Sequence, residues 1–247
     1  RRHTRFKWDW MSDGCSADRP RRDRQRARSR PARRVPATAT APVYRVALVT
    51  GANRGLGFEV ARQLSERGMA VLLGARDLDK GLHAARQLTG APGEVIAVQL
   101  DVTQQDQVDT LARWIEITYG RLDVLVNNAG AHYDPAMRPA TADIAAARDA
   151  MDIHLFGSWR LSSAMLPLMR RHGYGRIVNV SSGCGASTTD SANCPAYRVS
   201  KSALNAYTRV LANELDGSGI QVNAVCPGWG ATDMGGSSRR KLEGMLL

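Results

Sequence analysis

The 247-residue chain is 43% hydrophobic and 23% charged, which suits one sizeable domain and excludes a wholly disordered polymer. No apolar run reaches the about 18 residues that a membrane span needs, and four cysteines (Cys15, Cys184, Cys194, Cys226) are too few for a disulfide scaffold at this length. The formal charge of +11 suggests a nucleic-acid or membrane partner only until its distribution is read: residues 1–43 hold thirteen basic groups against four aspartates, and the rest of the chain is nearly balanced.

Residues 1–43 are rich in arginine, are interrupted by Pro20, Pro31, Pro36 and Pro42, and show no helical or strand period. Too little apolar surface is present to offset the entropy of ordering, so this segment is expected to be a disordered tail. Met11 is its first methionine, and the segment is read as an expression remnant, a misassigned start or a polybasic arm. Asp9, Asp13, Asp18 and Asp23 argue against an organellar transit peptide, because such peptides are poor in acids. No nucleic-acid or membrane partner is expected for the body. No CxxC pair or His/Cys cluster suggests a metal, and a reducing, cytoplasmic setting is the default.

Residues 44–247 are read as one domain of alternating strands and helices. Val46–Thr50 is a strand apolar on both faces, and Gly57–Gly68 carries apolar residues at helical spacing. Ala70–Gly74, a helix around Asp79–Leu88, and Val95–Leu100 follow, then a helix Gln105–Tyr119 and the strand Val124–Asn127. A long helix around Ala142–Arg171 precedes Arg176–Ser181, and a helix Ala196–Asp216 precedes Ile220–Ala224. Strands buried on both faces, each followed by a helix, predict an α/β fold: a doubly wound, Rossmann-like parallel sheet of about six strands.

The first strand runs into Thr50-Gly51-Ala52-Asn53-Arg54-Gly55-Leu56-Gly57, where a helix opens. Gly51 permits a sharp turn, Gly55 allows close backbone approach to a pyrophosphate, and Gly57 allows close packing of the helix. The helix N-terminus offers N–H groups and a positive dipole end to an anion. The spacing is GxxxGxG rather than GxGxxG.

That loop resembles the one in the short-chain dehydrogenase/reductase family, and further motifs follow in the family's order. Asn127-Asn128-Ala129-Gly130 resembles its NNAG segment, Ser181-Ser182 its strand-end serine, Tyr197-Arg198-Val199-Ser200-Lys201 its YxxxK segment, and Pro227-Gly228 with Thr232 its PG…T segment. The resemblance covers about residues 44–234 and is nearest to bacterial carbonyl-reductase-type members. It implies cofactor contacts from Gly51, Asn53, Arg54, Gly55, Leu56, Gly57, Asp101, Val102, Asn128, Ala129, Gly130, Tyr197, Lys201, Pro227, Gly228 and Thr232. Gly74-Ala75-Arg76 stands where an acid would hold the ribose 2′-OH of NAD, so Arg76, flanked by Arg54, suits a 2′-phosphate, and NADP(H) is the expected cofactor.

Tyr197 and Lys201 are four apart and share a helix face. An ammonium beside a phenol favours phenolate, so Tyr197 would act as general acid in reduction and general base in oxidation. Ser182 would orient the substrate oxygen; Ser181 competes for that role, and the family pattern favours Ser182. Cys184 and Cys194, in a pocket loop Gly183–Cys194, read either as pocket lining or, more simply, as small fillers. Trp229, Tyr133, Met137 and His132 are candidate pocket liners.

Two departures from the family stand out. His154 stands where the family carries an asparagine that bends the helix locally and holds a water in the proton relay; it is expected to be catalytic, holding that water through a ring nitrogen or titrating itself, with a partly buried histidine without a role as the alternative. Only 15 residues follow Thr232, so the family's seventh strand is expected to be missing and the sixth strand to be an edge. The expected activity is NADPH-dependent reduction of a ketone, aldehyde or quinone-like carbonyl, in a protein that forms a homodimer or tetramer if it follows the family. The rivals are a non-catalytic NADP(H)-binding sensor or scaffold, and a body tethered to nucleic acid by its tail.

Overall fold

A computed structural model describes residues 45–131, 134–186 and 191–228. The disorder expected for residues 1–43, the roles of Thr232 and Trp229, the last residues of the chain, and the lining roles of His132 and Tyr133 lie outside the described residues. Six parallel strands form one sheet in the order β3-β2-β1-β4-β5-β6. They are β1 (Val46–Thr50), β2 (Ala70–Ala75), β3 (Val95–Gln99), β4 (Val124–Asn127), β5 (Gly175–Val180) and β6 (Ile220–Val225). The helices are α1 (Gly55–Glu66), α2 (Leu78–Gln87), α3 (Gln105–Tyr119), α4 (Ile144–Met151), α5 (Gly157–Arg170) and α6 (Pro195–Glu214). No helix among the described residues is long and apolar enough to cross a membrane.

The strand order explains the double-sided core. In β1 alternate residues point to opposite faces. Leu48 joins Leu72, Leu125 and Ile177 beneath α3, α5 and α6, through Ile115, Leu161, Met165 and Leu204. Ala47 and Val49 join Val71, Leu73 and Val126 beneath α1 and α2, through Val60, Ala61, Leu64 and Ala84. Strands covered on both sides have no polar face, which is why β1 and β2 are buried along their whole length.

The chain leaves β1 toward β2 and β3, then crosses to β4 on the other side of β1. At such a reversal the loops after neighbouring strands diverge and leave a crevice at the strands' carboxyl ends. The loops after β1 and β4 flank this crevice.

The long helix expected over 142–171 is interrupted. Asp143 caps α4, accepting from the Ala145 N–H at 2.9 Å. A π-helical turn at Asp152–Phe156 separates α4 from α5, and a short 3-10 turn, Pro139–Thr141, precedes them. Wide turns of this kind inside a helix re-aim backbone and side chains, and they recur at functional sites. His154 is at the centre of this one. Helix α1 starts at Gly55, two residues before the expected Gly57.

Candidate active site

The glycine loop is held by polar groups from the neighbouring strand. Thr50 Oγ1 accepts from the Asn128 and Ala129 N–H groups at 3.0 and 2.9 Å. In return the Asn128 side-chain amide donates to the Thr50 and Gly51 carbonyls at 2.8 and 3.2 Å. Ala52 N–H bonds to Gly74 O at 2.9 Å, tying the same loop to β2. Gly51 takes φ +62°, which side chains rarely adopt. A Cβ on Gly57 would lie 2.4 Å from Asn128 Nδ2 and 2.7 Å from Gly51 O. Glycine is thus required where α1 meets the loop, and the backbone there is left bare for a ligand. Thr50 and the bracing role of Asn128 were not singled out by motif reading; the signal was a hydroxyl at the strand end directly before the first glycine.

From this loop a cleft of about 1580 Å³ runs along the carboxyl edge of the sheet. Its walls include every expected cofactor residue within the described part: Gly51, Asn53, Arg54, Gly55, Leu56, Gly57, Arg76, Asp101, Val102, Asn128, Ala129, Gly130, Tyr197, Lys201, Pro227 and Gly228. Arg76 follows β2 directly and is exposed, with Lys80 and His83 on the same rim. Asp77, next to Arg76, is already engaged: it caps α2 by accepting from Lys80 N–H at 3.1 Å and pairs with Lys80 Nζ at 3.3 Å. Asp101 Oδ1 accepts from the N–H and hydroxyl of Thr103, so that carboxylate shapes its own turn.

At the other end stand Ser182, Tyr197 and Lys201. Helix α6 turns one face inward, and Tyr197, Ser200, Lys201, Leu204 and Thr208 all lie on it. Lys201 is buried, and its ammonium donates to Val180 O at 2.7 Å. Burial pushes its pKa down to about 8. Lys201 Nζ lies 5.7 Å from the centroid of the Tyr197 ring. Ser182 follows β5, and its hydroxyl accepts from Cys184 N–H at 3.2 Å. Ser181, the competing serine, also reaches the cleft wall, with a buried Oγ that has no hydrogen-bond partner among the described residues. At the start of α6, Asp134 Oδ2 and Oδ1 lie 3.4 and 3.5 Å from the Ala196 and Tyr197 N–H groups. That link between the segment after β4 and the start of α6 had no sequence signal.

Three expectations need adjusting. Cys184 lines the cleft, whereas Cys194 is buried at the first turn of α6, at φ +53°. Met137 does not line the cleft. His154 is 1% exposed and is not part of the wall; its ring stands edge-on behind Tyr197, with centroids 5.4 Å apart.

The chain is similar to known proteins. A family model for short chain dehydrogenase matches residues 45–243. The 3-oxoacyl-[acyl-carrier-protein] reductase FabG of Haemophilus influenzae is 36% identical, over 77% of this chain and 76% of the relative. Among solved structures, a metagenomic short-chain oxidoreductase in complex with NADP aligns with a TM-score of 0.70 at 33% identity, over 75% of this chain and 83% of that one. A 7α-hydroxysteroid dehydrogenase complexed with NADH and 7-oxo glycochenodeoxycholic acid aligns at 0.71 with 28% identity, over 76% and 72%. The glycine cradle, the strand order and these matches together make the chain a member of the short-chain dehydrogenase/reductase family, a nicotinamide-using oxidoreductase of alcohol and carbonyl groups.

Proposed function

We propose that this protein is an NADP(H)-dependent reductase of a ketone, aldehyde or quinone-like carbonyl, with Tyr197 as the proton donor and the reverse oxidation available to the same groups. The observation that carries the reading is the convergence of Ser182, Tyr197 and Lys201 on one end of the cleft that begins at the glycine loop. The bare backbone at Gly51 and Gly57 fits a pyrophosphate, with the α1 N-terminus supplying N–H groups to the anion. Arg76 and Arg54 would hold a 2′-phosphate, and the prior engagement of Asp77 by Lys80 supports that choice over a ribose 2′-OH.

When bound, the nicotinamide supplies the hydride. The chain's own residues do the rest. Ser182 holds the carbonyl oxygen and orients it. Tyr197 gives that oxygen its proton, and the Lys201 ammonium favours the phenolate left behind. Lys201 also suits the nicotinamide ribose, as Asn128, Ala129, Gly130, Pro227 and Gly228 suit the rest of that half.

The test is loss of NADPH absorbance against a panel of carbonyls, with Tyr197→Phe as the control. The variant should lose about a hundredfold or more in turnover while still binding NADPH. Undiminished turnover in Tyr197→Phe would overturn the assignment of the proton donor. Equal dissociation constants for NADPH and NADH would overturn the cofactor choice.

A further inference from the structure

His154 stands where the family resemblance leads one to expect an asparagine. Its ring is held from both sides. The backbone N–H of Ala131 is 3.0 Å from Nε2. An amide can only donate, so Nε2 accepts, and the proton of the neutral ring is on Nδ1. Nδ1 lies 2.8 Å from Ser200 Oγ, which in turn donates to the Tyr197 carbonyl at 2.9 Å. Every bond in this line runs the same way: Ala131 N–H to His154, His154 N–H to Ser200, Ser200 O–H to Tyr197.

The two ends of the line matter. Ala131 follows Gly130, and both line the cleft. A Cβ on Gly130 would come within 3.3 Å of His154 Nε2, so ring and loop are closely packed. Ser200 lies on α6 between Tyr197 and Lys201 and is fully buried. The π-helical turn at Asp152–Phe156 turns the ring into this gap.

We propose that His154 is a positioning residue, a two-ended strut that sets the distance between the Gly130–Ala131 edge of the cofactor cleft and the Tyr197 face of α6. It touches neither cofactor nor substrate and acts through the two groups it joins. The proposal rests on the reading of Tyr197 as proton donor, since the spacing it controls matters to turnover only then.

The two ends can be cut separately. An asparagine amide nitrogen falls at the level of Nδ1 and keeps the Ser200 bond while losing Ala131. A glutamine amide oxygen falls at the level of Nε2 and keeps the Ala131 bond while losing Ser200. The full chain is assayed with NADPH, reading its dissociation constant by fluorescence and kcat with the best carbonyl of the panel. His154→Gln should keep NADPH affinity within about twofold and lose about tenfold in kcat; His154→Asn should lose about tenfold in affinity and keep kcat within about twofold. A lost hydrogen bond of ordinary strength sets that scale. His154→Phe keeps the ring and removes both nitrogens, so both constants should fall.

Parent-level affinity and turnover in His154→Phe would overturn the strut and leave a packing role. So would a parallel fall of both constants in the Gln and Asn variants, tracking a fall in melting temperature. If His154→Phe does not fold, the split between Gln and Asn decides. Tyr197→Phe, measured alongside, separates the failures: if it turns over normally the function reading falls, while the affinity difference between the Gln and Asn variants still tests the Ala131 end.

Discussion

Lys201 carries its charge in a dry place. Burial lowers its pKa from 10.5 to about 8. The folded chain therefore gives up this proton at a lower pH than the unfolded chain does. Between about pH 8 and 10.5 the unfolded state binds more protons, so the contribution of this residue to stability rises with pH across that window. Below it the full penalty is present, on the order of 3 kcal/mol. Lys201→Met should accordingly melt higher than the parent at pH 7 without dinucleotide, with the gap closing by about pH 10. Thermal melts at the two pH values check this, and a gap that widens with pH contradicts it. The same variant should be inactive, because the phenolate loses its ammonium. Arg76 is exposed at the end of β2. Its loss in Arg76→Ala should weaken NADPH by about tenfold or more and leave NADH nearly unchanged, since only the phosphate ester uses the guanidinium. Paired fluorescence titrations read the ratio directly.

Element by element, the chain shows why some of this structure was legible and some was not. The strands were readable because a parallel strand buried on both faces is a short unbroken apolar run, and Val46–Thr50 and Val124–Asn127 end where expected. The glycine loop was readable because its constraints are local: a positive φ at Gly51 and no room for a Cβ at Gly57. Gly57→Ala tests that constraint. Its methyl group would meet Asn128 Nδ2 and Gly51 O, so the loop must shift. The variant should lose about 1–3 kcal/mol of stability, as overpacked sites do, together with NADPH binding. A melt and a titration check both. The break in the long helix left no mark in its apolar spacing, which continues through Met151–Gly157; only the family resemblance attached a local bend to the position of His154. The partners His154 meets there, Ala131 23 residues away and Ser200 46 residues away, had no sequence signal. The Asp134 contact with α6 was hidden for the same reason, since only the folded loop brings that carboxylate to the Tyr197 N–H. Cys184 reads as either liner or filler because size alone does not tell which side of a turn faces the cleft, and the structure puts it in the wall.

Across the whole molecule, charge and function are segregated. The 204 residues after residue 43 are nearly neutral, and the cleft is at the carboxyl edge of their sheet. Retention on nucleic acid, if the full chain shows it, should be salt-sensitive and should vanish when residues 1–43 are removed, with carbonyl reduction unchanged. A heparin or DNA column run against a salt gradient, followed by the NADPH assay, checks both halves; salt-sensitive retention of the shortened chain would contradict the segregation. A polar thread runs through the core of the body. Asn127 Nδ2 donates to Asn179 Oδ1 at 2.8 Å, and Asn179 Nδ2 donates to Thr208 Oγ1 at 2.9 Å. It links β4, β5 and α6, and all three residues are buried. Such groups add little net stability when paired and cost much when left alone. Their worth is in matching: with β5 slid one residue along β4, each amide would face a hydrocarbon wall. The thread thus works as a key cut for one alignment, and the helix bearing Tyr197 is joined to the sheet through β4 and β5 held in that step.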